Sequence, residues 1–349
     1  MSHQHDTFHD DGPPIVQLQA AVKALDEYVH HVVPPSSVPT PPPQPPPSTP
    51  SRLSPIQLFA RQEFVNARWK DLSKAHIAVC GLGGIGALAA ESLVRAGVGR
   101  IFLVDHARVD LSALAEMTFR PEDVGCSRTQ ALRLRLRSLN ASTDVDSFTA
   151  DFTNTWDLRE LRKKLKISSV VQPSQTPSTP GDASSFGLFE ALTQKRPYDA
   201  LLCCVDSEEA QLALNQICLE LSLPLLVASL SPCNTRISVR MVLPGHTCCL
   251  ECIQCAEKDR GDTVDTHVMD EVAKSLARAF PASLPHVELL AGGLLAQSTL
   301  RFLLEVGDVV PFIAMNVLTM EMDSFSFPPH PACRNEICNQ RQAELRPPQ

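Results

Sequence analysis

Four cysteines in two close pairs have the types and spacing to hold a metal ion. Cys249 and Cys252 form a CxxC pair, and Cys333 and Cys338 form a second pair with four residues between them. Two such pairs far apart in sequence are typical of tetrahedral Zn²⁺ with four thiolate ligands, which is a closed and therefore structural site. Spacing alone leaves the first pair ambiguous, because Cys255 makes another CxxC with Cys252. Unrelated buried cysteines and a redox pair are the alternative interpretations.

A glycine-rich turn is the second chemical motif. It follows a short apolar strand and precedes a helix, and its glycines are Gly81, Gly83, Gly84 and Gly86. Glycine lets phosphate approach the backbone, and the N terminus of the helix offers free N–H groups to an anion. Asp105 ends the next apolar strand, where a carboxylate can hydrogen-bond a ribose hydroxyl. These residues leave open an ATP-binding protein, a dinucleotide oxidoreductase and a turn kept only for packing.

Strands and helices alternate along the chain, which predicts an α/β fold with a doubly wound, mostly parallel sheet. Apolar runs predict strands at 77–80, 101–104, 200–205 and 224–243. Helical periodicity predicts helices at 58–72, 85–96, 126–139, 208–221 and 289–306. The last helix is apolar enough to be either a core helix or a pairing face. Arg133, Arg135 and Arg137 alternate with leucine, and we interpret them as one solvated helix face.

The ends and insertions have a different composition. Residues 1–53 are predicted to contain a short helix followed by a proline-rich, disordered linker at 34–50. The folded domain is predicted to span 54–342, with a disordered insertion at about 168–185, a crossover segment at about 256–280 and a tail at 343–349.

Bulk properties narrow the class of protein. The net charge of -8 argues against a nucleic-acid partner. No apolar signal-peptide core precedes the domain, and no uninterrupted apolar stretch reaches the ~18 residues of a membrane span. We therefore predict a cytoplasmic or nuclear protein without a membrane partner. Twelve cysteines in a reducing compartment favour metal binding or burial over disulfides.

Four stretches of the chain resemble the ThiF-like enzymes that activate ubiquitin-like modifiers, in particular the branch for the ubiquitin-fold modifier. They are HIAVCGLGGIGALAAESLVRAGVGRIFLVD, RPEDVGCSRTQALRLRLRSLN, YDALLCCVDSEEAQLALNQICLEL, and VLPGHTCCLEC with CRNEICNQRQ. The resemblance implies binding of ATP and Mg²⁺, adenylation of the modifier's C-terminal glycine and transfer to a cysteine thioester. It also implies a homodimer and a conjugating-enzyme partner.

The resemblance assigns roles to individual residues. Gly84 and its neighbours would hold phosphate, Asp105 would hold the ribose, and Asp206 would face magnesium. Arg128 stands where the family has a lysine that reaches the phosphates. Asp151 and Ser207 stand where the family has nucleotide-contacting asparagines.

Several residues depart from the family pattern. An acid, two asparagines and an arginine after the second strand are replaced here by Ala107, Ala113, Ala115 and Glu116. The arginine of the family's leading N-P-Y-S-R stretch is replaced by Leu58, and Phe280 stands at the position of the catalytic cysteine. These changes predict impaired thioester chemistry. The alternatives are a non-catalytic nucleotide-binding or partner-binding scaffold of the same fold and, less favoured, an NAD-linked oxidoreductase.

Overall fold

A computed structural model describes residues 67–116, 118–166, 197–231, 234–259 and 284–345. The predicted N-terminal helix, the proline-rich linker, the 168–185 insertion and most of the crossover segment lie outside these residues. So do Leu58 and Phe280.

The described residues form eight strands and seven α-helices. The strands are β1 His76–Cys80, β2 Arg100–Val104, β3 Asp144–Phe148, β4 Ala200–Cys203, β5 Leu225–Leu230, β6 Arg236–Val242, β7 Phe312–Asn316 and β8 Met322–Phe325. The helices are α1 Gly84–Ala96, α2 Arg128–Leu139, α3 Thr155–Lys166, α4 Glu208–Leu221, α5 Leu250–Asp259, α6 Pro285–Leu304 and α7 Glu336–Leu345.

One sheet contains all eight strands, in the order β3-β2-β1-β4-β5-β6-β7-β8. Strands β1 to β5 pair in parallel, and β6, β7 and β8 add antiparallel. The chain extends from β1 toward β3 on one side and from β4 toward β8 on the other, so the order reverses between β1 and β4. The predicted doubly wound, mostly parallel α/β fold is confirmed.

Helix α6 belongs to the core. It packs mainly on α1, and also on β5 and β6. Gly292 allows this close approach, because a Cβ there would lie only 3.0 Å from the Ile85 carbonyl oxygen and the Leu88 Cβ. The helix is long and apolar enough to cross a membrane, but half of that stretch is buried in the protein. Core packing therefore accounts for its composition.

The interpretation of the basic strip as one solvated face is wrong. Arg133 and Arg137, one helical turn apart, both donate to the Val145 carbonyl oxygen of β3, at 3.1 and 3.0 Å. Arg135 points elsewhere and pairs with Asp123 at 3.0 Å. Residues two apart lie on different faces of a helix. Arg133 and Arg137 therefore contact β3, whereas Arg135 pairs with Asp123.

Candidate functional site

The glycine turn lies where the strand order reverses. It directly follows β1, and the loop with Asp206 directly follows β4, the parallel neighbour of β1. In open α/β sheets, ligands bind at the carboxyl ends of the strands, in the crevice at this reversal. The fold thus brings the residues after β1, β2, β3 and β4 to one edge of the sheet.

The glycines of the turn differ in why they are glycine: some are required by close packing, and one is accessible to a ligand. Gly81 has a φ of 87°, and a Cβ there would lie 2.6 Å from the Cys204 carbonyl oxygen. A Cβ on Gly86 would overlap the Gly81 carbonyl oxygen. Gly83 differs, because it is partly exposed and a Cβ there would meet only Arg128 Nη1, at 3.6 Å. Gly83 is therefore a point of the turn that a ligand can approach.

Asp105 connects the turn to the loop after β2. Its Oδ2 accepts from the Leu82 N–H at 2.6 Å, and its Oδ1 accepts from the Ala107 N–H at 2.7 Å. The residue is only 6% exposed. Each carboxylate oxygen has further lone pairs, so Asp105 can hold the turn and still accept from a ligand hydroxyl.

Asp206 and Ser207 occupy the loop between β4 and α4. Desolvation raises the pKa of Asp206, and the nearby Arg128 charge lowers it. Ser207 caps α4 by accepting from the Ala210 N–H at 3.4 Å. An acid at this position faces the crevice and has the oxygen ligands that Mg²⁺ prefers.

Asp151 lies after β3, farther along the same edge. Its Oδ1 accepts from both the backbone N–H and the hydroxyl of Thr153, and these bonds lower its pKa. The charge of His106, next to Asp105, lowers it further. This places Asp151 within electrostatic reach of the loop after β2.

The replaced arginine position has a clear structural consequence. Glu116 Oε1 lies 3.4 Å from Arg128 Nη2, and both side chains are 15% exposed. Desolvation raises the pKa of Glu116 to about 7; the Arg128 charge opposes this rise, and Glu288, Asp110 and Asp105 add to it. The cation expected to reach the phosphates is therefore engaged by a carboxyl group.

Glu288 is a residue of the site that the sequence interpretation missed. It is 5% exposed in α6, and its carboxylate lies directly against Gly84, the first residue of α1. A Cβ on Gly84 would overlap this carboxylate, with Oε1 only 2.6 Å away. A single acid in an otherwise apolar helix face was the available sequence signal.

The four predicted cysteine ligands form one buried cluster. Their sulfur atoms all lie within 4.8 Å of one another. The Sγ–Sγ distances are 3.6 Å for Cys249 and Cys252, 3.6 Å for Cys249 and Cys333, and 3.7 Å for Cys252 and Cys338. Tetrahedral zinc with Zn–S bonds of about 2.3 Å requires sulfur separations of about 3.8 Å. The cluster fits a zinc site, with Cys249 rather than Cys255 as the partner of Cys252.

Hydrogen bonds around the cluster favour thiolate sulfur. The His330 N–H donates to Cys252 Sγ at 3.3 Å, and the Gln342 side-chain amide donates to Cys338 Sγ at 3.4 Å. Among the sulfur atoms themselves, mutual hydrogen bonds lower the pKa of Cys252 and raise that of Cys249, so Cys252 is the sulfur that gives up its proton first. The cluster joins the start of α5 to α7, which continues to Leu345, beyond the predicted start of the tail.

A model described as the ThiF family matches residues 57–335. The chain belongs to the ThiF family. Ubiquitin-like modifier-activating enzyme 5 of Arabidopsis thaliana is 31% identical over 268 residues, covering 77% of this chain and 56% of that protein. The Dictyostelium discoideum protein of the same name is 27% identical over 270 residues, covering 77% of this chain and 63% of that protein. This ThiF-family chain therefore spans less than two thirds of the length of these relatives.

Solved structures agree on the ThiF-family fold. Escherichia coli MccB, in a crystal structure with ATP, superposes with a TM-score of 0.58 at 18% identity, covering 79% of this chain and 73% of that chain. At this identity the similarity establishes the fold alone.

Proposed function

We propose that this chain binds ATP and Mg²⁺ at the glycine turn and adenylates the C terminus of a ubiquitin-like modifier. The observation that carries this proposal is the meeting of the accessible Gly83, the ribose-type acid Asp105 and Asp206 at the reversal point of the sheet. The N–H groups at the start of α1, with Arg128, would hold phosphate, and Asp206 would hold Mg²⁺. Asp151 and Ser207 would complete the nucleotide contacts.

The chemistry makes an electrostatic demand on these residues. A modifier carboxylate attacks the α-phosphate of ATP, an acyl–phosphate bond forms, and pyrophosphate leaves. Both reactants are anions, so preorganised cations and N–H dipoles must neutralise the developing charge. Burial raises the pKa of both Glu116 and Asp206, and the Arg128 charge is the cation that opposes this rise at both carboxyl groups. Its ion pair with Glu116 predicts slow adenylation.

Gly83→Ala tests the nucleotide site without disturbing the fold. Gly83 has φ −72° and ψ −169°, which alanine also adopts, and the added methyl would make only an ordinary contact with Arg128. We expect unchanged thermal unfolding and at least about tenfold weaker ATP binding by calorimetry, because the methyl keeps phosphate from the backbone.

Gly125→Ala is unsuitable as a control, since Gly125 has a φ of 87°. Gly293→Ala, which meets nothing within 4 Å, is the matched control. Equal ATP affinity in both variants and the wild type would remove the turn from the site.

The full reaction is tested by modifier-dependent ATP–pyrophosphate exchange. Candidate ubiquitin-like modifiers are presented with intact and with truncated C termini. Exchange that needs an intact C terminus supports adenylation, and its absence with every modifier contradicts it.

We further propose that the thioester step is impaired, because Phe280 stands where the family has its cysteine. We expect no thiol-sensitive adduct between chain and modifier on non-reducing gels, even where exchange occurs. An adduct abolished by dithiothreitol would show that another cysteine has taken over.

A non-catalytic scaffold is the second candidate, and the Glu116–Arg128 ion pair favours it. A scaffold would bind nucleotide or a modifier but give no exchange. An NAD-linked oxidoreductase is the third and weakest, because its catalytic zinc needs an open position that a four-cysteine site lacks. Binding of reduced nicotinamide, without binding of ATP, would favour it.

The remaining assignments rest on the family. We propose structural zinc at the four cysteines, a homodimer, a conjugating-enzyme partner and a cytoplasmic location. Size-exclusion chromatography with light scattering measures directly whether the chain is a homodimer.

A further inference from the structure

Glu288 brings a buried carboxyl group to the start of α1. It lies in the first turn of α6, and its carboxylate contacts Gly84 so closely that no side chain fits between them. The approach is fixed by the backbone, since Gly292, one turn farther along α6, also lies against α1. Glu288 is therefore held in place by the same helix pair that builds the core.

The start of α1 is a position that favours an anion. The first N–H groups of a helix have no acceptor within the helix, and the helix dipole adds partial positive charge there. This is the feature by which a glycine turn binds phosphate. The carboxylate of Glu288 lies against Gly84, the first residue of α1, and so beside these N–H groups.

Other acidic groups near the turn also disfavour the binding of phosphate. The negative charge of Glu288 acts on Glu116, which in turn pairs with Arg128 at 3.4 Å. Asp105 is buried beside the turn and bonds the Leu82 N–H. Among the described residues, the surroundings of Gly84 thus combine acids on several elements with the Arg128 guanidinium, and this excess of negative charge opposes a triphosphate more than an uncharged nucleoside.

We propose that Glu288 is an internal anion that competes with nucleotide phosphates for the N terminus of α1 and so sets the selectivity of the site. The site weakens ATP binding relative to adenosine, and ATP binds fully only when the Glu288 carboxylate withdraws or is neutralised. This inference rests on the proposed nucleotide site and adds its determinant of phosphate affinity.

The test compares two ligands in four proteins. ATP with Mg²⁺ and adenosine are titrated by calorimetry into the wild type, Glu288→Gln, Glu288→Ala and Glu91→Gln. Glutamine keeps the size of the side chain and removes its charge, whereas alanine also removes its bulk. Glu91→Gln removes one acid from α1 itself, at an i,i+4 pair with Arg95 away from the turn. Thermal unfolding reports whether each variant is folded.

We expect the ratio of ATP affinity to adenosine affinity to rise at least tenfold in Glu288→Gln and in Glu288→Ala. The ratio should stay unchanged in Glu91→Gln. If one Glu288 variant fails to fold, the other decides.

Two results would overturn the inference, and they differ. Adenosine and ATP binding with an unchanged ratio in the folded Glu288 variants would leave the nucleotide site standing and reject the role of Glu288. Failure of all four proteins to bind either ligand would reject the nucleotide site, and the inference with it.

Discussion

Cys338→Ser is expected to abolish binding of one zinc ion per chain and to lower the unfolding midpoint by about 10 °C or more. Cys338 lies in α7, and its sulfur is 3.7 Å from that of Cys252. A serine hydroxyl is a poor replacement for a thiolate ligand. The loss would free α7 from α5, and it would leave three cysteines buried without a shared cation. Elemental analysis of the purified protein and scanning calorimetry measure the two effects.

Cys255→Ser is the matched control for this prediction. Cys255 is buried and three residues from Cys252, yet it is not part of the four-sulfur cluster. We expect this variant to keep its zinc and to lose far less stability. Equal zinc loss in both variants would mean that Cys255 takes part in the site. Full zinc content in Cys338→Ser would contradict the four-cysteine assignment.

Glu116→Gln is expected to bind ATP about tenfold more tightly than the wild type at pH 8, an increase that corresponds to about 1.4 kcal/mol. The substitution removes a negative charge beside the site and releases Arg128 from its ion pair. A unit charge at ~4 Å with surface-like screening contributes a few kcal/mol, so tenfold is a conservative expectation. Calorimetry at pH 6 and pH 8 measures it. The gain should be smaller at pH 6, where Glu116 is largely protonated.

The same substitution should change how stability depends on pH. Burial raises the pKa of Glu116 from 4.5 to about 7 in the folded chain. The folded state therefore holds this proton more tightly than the unfolded state, and the stability it contributes below pH 4.5 is lost as pH rises through 7. After allowance for partial solvent screening, the loss amounts to about 1–2 kcal/mol. Glu116→Gln should remove this part of the decline in unfolding free energy between pH 5 and pH 8.

Glu122→Gln is the control for both arms. Glu122 is an exposed acid on the neighbouring loop, with 67% of its side chain accessible in a pair with Arg120. It should alter neither ATP affinity nor the pH profile. A pH profile that is identical in wild type and Glu116→Gln would contradict a raised pKa at Glu116.

Local patterns predicted four of the five strands that pair in parallel, namely β1, β2, β4 and β5. Strand β1, the glycine turn and α1 follow one another directly in the sequence. Their structure depends on the local backbone conformation, so neighbouring residues were enough to predict it. The helix predicted at 208–221 matches α4, because Ser207 caps it and its apolar residues have helical spacing. The cysteine pairs were also readable, since sulfur ligands must be close in space and few alternatives existed.

The outer strands were missed for a common reason. Strand β3 reads DVDSF and β8 reads MDSF, and both lie at the edges of the sheet with polar residues facing solvent. Edge strands need less apolar surface, so their composition resembles that of a loop.

Contacts between distant elements explain why two features of the site were missed. The position of Glu288 against Gly84 depends on how α6 crosses α1, which no spacing within α6 encodes. The ion pair of Glu116 and Arg128 similarly needs the loop after β2 to fold back on the start of α2. The sequence identified the reversed charge, and only the fold identified its partner.

The arginines at Val145 make the two borders of the sheet unequal. Strand β3 carries two guanidinium groups on one carbonyl oxygen, which obstructs the hydrogen bonding that an incoming strand would need. At the opposite border, all four residues of β8 are exposed. We therefore expect a strand from another molecule to add less readily at β3 than at β8.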